Sequence, residues 1–149
     1  MNPEGDKILG LSAQRLAMSI APLVGTGYAQ STLGLTNVML AMVAQEYERG
    51  AEIRVTENNE LRALLEELAP AATDEELRAR VSAAARGRDA SLRISVLNAA
   101  NHELRRLLSE LHAHVESVDG PFARSAERRI WSLLKTIAAR RIVSLGPAQ

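Results

Sequence analysis

Ala90, Ile94, Leu97, Asn101, Leu104, Leu108, Leu111, Val115 and Val118 recur four and three residues apart without a slip. Strand faces alternate every second residue, so this stripe commits the segment to a helix. It also predicts packing of one helix edge along a neighbour at a shallow crossing angle. A looser stripe of Leu40, Ala44, Tyr47, Ala51, Asn58, Leu61, Leu65 and Leu68 lies upstream. No window alternates β-branched residues with period two, and aromatics are only 3% of the chain. The core is therefore built from Leu, Ala, Ile, Val and Met, residues suited to packed helices. These patterns predict an all-α fold, an antiparallel helical bundle.

Punctuation divides the 149 residues into about five helices within a single helical-bundle domain, 1–149. Gly25-Thr26-Gly27 separates a first helix, about 6 to 24, from a long second one, about 28 to 69. Gly50 weakens the second locally, by about 1 kcal/mol relative to Ala. Pro70 stops that helix, and Thr73 with Glu76 reads as a capping box for a short third. Gly87 ends the third, and the long fourth covers about 88 to 118. Asp119-Gly120-Pro121 marks a terminus and a restart, with Pro opening the last helix. Gly146-Pro147 closes it.

Composition removes several classes of function. There are no cysteines, which excludes disulfides, thiolate metal sites and cysteine nucleophiles. Eighteen basic residues balance eighteen acidic ones, so no global charge points to nucleic acid or an anionic membrane. Residues 1 to 6 carry Glu4 and Asp6 in place of a basic signal-peptide start, and a cytoplasmic location is expected. Leu16 to Gln45 has no charged residue, but Pro22, Gly25 and Gly27 break it into apolar pieces. Neither piece reaches the roughly 20 apolar residues of a spanning helix. The stretch reads as buried on most of its surface, in a bundle or at a subunit interface.

The two long helices resemble each other. Residues 58–68 match 101–111, and 51–56 match 90–95, at offsets of 43 and 39. The difference is close to one helical turn, so both segments can keep one face toward the core. Duplication and convergence on Leu, Glu and Arg fit this pattern equally. Each copy sets an Asn, Asn58 or Asn101, on its apolar stripe. A buried Asn fixes register by demanding a polar partner, within the bundle or across a dimer. Charge is also segregated: residues 45–83 hold ten acidic and five basic side chains, whereas 121–149 hold six basic and one acidic. The simplest consequence is that the last helix lies beside the acidic second and third.

No metal or cofactor site is expected. The di-iron bundle motif requires a Glu three residues before a His, and no Glu here has a His at that distance. His112 and His114 diverge on a helix and cannot share an ion. There is no helical HExxH and no nucleophile elbow. Gly25-Thr26-Gly27 lacks the Lys, the further Gly and the preceding strand of a phosphate loop.

The segment Val96-Leu97-Asn98-Ala99-Ala100-Asn101-His102-Glu103-Leu104-Arg105 resembles the phosphoacceptor box of sensor histidine kinases. That resemblance implies an exposed His102 as phosphoryl acceptor, assisted by Glu103 and Arg105, on a hairpin that dimerises into a four-helix bundle. Arg106-Leu107 stands where the family has Thr-Pro, and residue 59 of the matching segment is Asn. The size, absence of cysteine and long amphipathic helices are also similar to small flagellar-type export chaperones.

The reading that covers most of these features is a non-catalytic, all-helical interaction protein that self-associates. Its expected contacts are the apolar 28–44 region, including Leu40, and the 90–118 stripe, including Leu104. Histidine phosphotransfer on His102 is the alternative. A small apolar ligand among Met18, Met39 and Met42 is a further one.

Overall fold

Helix ends in this chain are set by individual side chains and by proline. The computed structural model describes residues 4–118 and 120–142, which form α1 (Gly5–Arg15), α2 (Tyr28–Leu68), α3 (Glu75–Ala85), α4 (Ile94–Glu116) and α5 (Pro121–Arg140). Among the described residues there is no strand, so the chain is all-α with two long helices. The described residues divide into two compact units, residues 4–50 and residues 51–142.

In the first unit, α1 stops at Arg15, well short of the expected 24. A π turn, Leu16–Ile20, and a 3-10 turn, Ala21–Leu23, follow it. Pro22 explains the change. It has no N–H for the ladder, and its ring collides with the carbonyl four residues back. The preceding turn is displaced to five-residue spacing, with the Ala21 N–H on the Leu16 carbonyl. Gly27, at φ 104°, admits the bend into α2. Gly5 lies against the Tyr47 ring, where an added Cβ would come within 2.8 Å of it. The Thr32 and Thr36 hydroxyls each donate 2.9 Å hydrogen bonds to carbonyls four residues back. The apolar segment thus satisfies these polar groups within its own turns.

The second unit holds the core. Leu61, Leu65 and Leu68 of α2, Val81 of α3, Leu104, Leu108, Leu111 and Val115 of α4, and Ile130 and Ile137 of α5 are buried together. The 97–115 part of the long stripe is thereby consumed within one chain.

Two helix starts in this unit differ from the sequence expectation. Asp74 caps α3 where Thr73 was expected: its carboxylate accepts the Leu77 N–H at 2.7 Å. Glu76 consequently sits one position too early for a capping box. Thr73 turns instead to His114, 2.9 Å from its hydroxyl and 3.0 Å from its N–H. α4 starts at Ile94, six residues later than expected, because Asp89 is drawn to Asn58 and Arg62. Residues 90–93 are therefore not helical, although their counterparts 51–54 are. Pro121 opens α5 behind Gly120, whose φ of 147° favours glycine. Gly146 and Pro147 lie outside the described residues.

Candidate functional site

Glu57, Asn58 and Asn101 are the buried polar residues of the second unit, and they form one node. α2 supplies Glu57 and Asn58, α4 supplies Asn101 and Arg105, and Arg141 follows the end of α5. Asn101 Nδ2 donates to Asn58 Oδ1 at 2.9 Å and lies 3.4 Å from Glu57 Oε2. Asn58 Nδ2 donates to Asp89 at 3.0 Å and to the Leu97 carbonyl at 3.2 Å. Arg105 Nε donates to Asn101 Oδ1 at 2.9 Å. Arg62 meets the same Asp89 oxygen at 2.6 Å. The donors and acceptors of both amides are used, as buried polar groups require.

Glu57 is the charged centre of the node. Its side chain has no solvent exposure, and Arg141 grips it with hydrogen bonds of 2.7 and 2.5 Å. Arg105 Nη2 stands 3.6 Å away. Burial pushes the Glu57 carboxyl up. The Arg141 fork and the charges of Arg141, Arg105 and Arg140 outweigh that, so it stays below the usual glutamate range. Two further forks join α5 to α2: Arg140 on Glu60 at 2.8 and 2.7 Å, and Arg129 on Glu67 at 3.0 and 2.7 Å. The segregated charge of the sequence is organised as these pairs.

Beside the node is a cleft of about 360 Å³ bordered by His102, Arg105, Leu134, Ile137 and Arg141. His102 is exposed on α4. Glu103 does not join it; its carboxylate bonds to Arg106 at 3.1 and 2.9 Å. Arg105 is engaged by Asn101 and Glu57. Of His102, Glu103 and Arg105, the structure brings only the first and third to one cleft, and Arg105 is already used. The node residues that sequence reasoning missed are Glu57, Arg141, Asp89 and Arg62. The acidic and basic blocks signalled Glu57 and Arg141, and nothing in the sequence pointed to Asp89 or Arg62.

The first unit is the opposite case. Among its described residues only Ala13 and Gly50 are buried. Of the eighteen exposed large apolar side chains among the described residues, twelve fall between Ile8 and Tyr47. The expectation that Leu16 to Gln45 is buried on most of its surface is therefore not met within the chain. Tyr28, Leu35, Met39 and Met42 follow one another at intervals of seven, four and three on α2, with exposures of 89, 62, 58 and 41%. Leu40 is half-buried on the same helix, whereas Leu104 is in the core of the second unit. Met18, Met39 and Met42 are exposed. No described helix is long and apolar enough to cross a membrane. Known protein families, curated proteins and solved structures give no match to this chain.

Proposed function

We propose that this chain is a non-catalytic helical interaction protein that self-associates through the apolar face of residues 8–47. The exposed stripe of Tyr28, Leu35, Met39 and Met42 carries the reading. Contiguous exposed apolar surface on a folded protein marks a contact site, and a seven-four-three stripe is the seam that a second helix covers. The occupant is a second copy of the chain. Leu16 to Gln45 bears no charge, so two copies meet there without like-charge repulsion. A membrane surface is a poorer fit, because interfacial helices carry Lys and Arg on their polar face. An acidic or basic partner would find no complementary charge there.

Light scattering across a dilution series tests this. A dimer or larger species that Leu35→Glu or Met39→Glu reduces to monomer is the expected outcome. A wild-type monomer at every concentration rejects the reading.

A further inference from the structure

His112 and Glu116 of α4 and Glu127 of α5 bring one imidazole nitrogen and two carboxylate oxygens within 4.8 Å of one another. We propose that these three side chains bind a borderline divalent ion of the zinc type, with a fourth position left to water.

The first observation is His112 Nε2. It is shut off from solvent and has no hydrogen-bond partner, an arrangement that folded proteins avoid. Glu116 Oε1 lies 3.4 Å from it without forming a hydrogen bond. Two ligands on one tetrahedral zinc, each about 2.0–2.1 Å from the metal, stand about 3.3–3.4 Å apart. The His112–Glu116 pair is already at that spacing, one helical turn apart on one face. The second observation is the fixed ring. Trp131 packs edge-on against His112, with centroids 5.7 Å apart and planes at 83°, so the imidazole is held in place. Glu127 arrives from the neighbouring helix, and Glu116 is 56% exposed, which keeps one side open to water.

The surroundings select the ion. Arg124, Arg128 and Lys135 line the groove of about 520 Å³ that also contains Glu127 and Trp131. These cations repel any metal held by charge alone. Calcium and magnesium require mostly oxygen ligands and rely on that charge, whereas zinc, cobalt and nickel gain from a bond to imidazole nitrogen.

Trp131 is the only tryptophan of the chain and touches His112, so its fluorescence reports binding. Paramagnetic Co²⁺ titrated into the full-length protein should quench it saturably at one equivalent, and Zn²⁺ should restore it by competition. Loss of an outer partner of a metal ligand costs about 10–100-fold in affinity, so loss of a ligand itself should weaken Co²⁺ binding at least tenfold. His112→Ala and Glu127→Gln should both show this, and Glu127→Gln keeps the packing against Trp131 intact. His102→Gln should bind as wild type. No saturable quenching in the wild type, equal quenching in Glu127→Gln, or loss in His102→Gln would each overturn the proposal.

Discussion

Arg141 clamps Glu57 through two hydrogen bonds of 2.7 and 2.5 Å, and the carboxylate it holds has no solvent exposure. The two residues lie 84 positions apart, so their pairing fastens the end of α5 to the middle of α2. A buried charge is tolerable only while its partner is present. Removing the partner therefore costs more than the pair itself contributes.

Arg141→Met should destabilise the second unit by about 2–3 kcal/mol, because it strands an ionised carboxylate in the interior. The value sits at the low end of buried pairs, since Arg141 is itself 43% exposed and Arg105 remains 3.6 Å away. Glu57→Gln combined with Arg141→Met should recover most of the loss. Urea unfolding of the two variants measures this, and an unrecovered double variant would show that Arg141 acts through packing.

The same pair gives a pH dependence whose sign follows from the lowered Glu57 pKa. Above the usual glutamate value, about 4.3, folded and unfolded chains are both ionised and the stabilisation is fully present. As pH falls through that value the unfolded chain takes up its proton first, and stability drops until the folded-state pKa is passed. The urea midpoint should be level from neutral pH to about 5 and then decline. Glu57→Gln should flatten the decline. Glu67, also lowered chiefly by its hydrogen bond to Arg129, is exposed, so Glu67→Gln should change it less. An unaltered acid limb in Glu57→Gln would remove Glu57 from the account.

The two asparagines should behave as one unit. Asn101→Leu leaves Asn58 Oδ1 and Arg105 Nε without their partner, at a cost of about 1–3 kcal/mol. The double replacement of Asn58 and Asn101 by Leu should cost less than the two single changes summed. A coupling of about 0.5–3 kcal/mol is the range for residues in contact. Strict additivity in a double-mutant cycle would mean that the 2.9 Å amide pair contributes nothing to stability.

What was legible in the sequence was local. Pro121 opening α5, Gly87 closing α3 and the Leu stripe of α4 each act over one or two turns, where the responsible residue is adjacent. The misplaced ends had distant causes. α4 begins late because Asp89 bonds to Asn58 and Arg62 on α2, 31 and 27 positions away. Glu57 is one of ten acids in residues 45–83, and only the packing of α5 brings Arg141 to it. The His112, Glu116 and Glu127 cluster was not anticipated, because only a Glu three residues before a His was weighed and Glu127 joins the other two through the packing of α5. The apolar 16–45 stretch signalled burial, and sequence alone does not say against what.

That last stretch gives the sharpest contrast between core and contact surface. Leu61 has no exposure and sits among core leucines, so Leu61→Ala should cost about 2–5 kcal/mol through lost burial and a residual cavity. Leu35 is 62% exposed, and its truncation removes little from the fold of one chain, within about 0.5 kcal/mol for a surface change. In the proposed self-associated form the same truncation removes a buried contact, and the stabilisation that association adds by mass action is lost with it. Leu35→Ala should therefore leave Tm nearly unchanged at high dilution and lower it at high protein concentration. Leu61→Ala should lower Tm equally at both. Thermal unfolding of the two variants at two concentrations separates these effects. If Leu35→Ala keeps the full concentration dependence of the wild type, the seam lies elsewhere on the first unit.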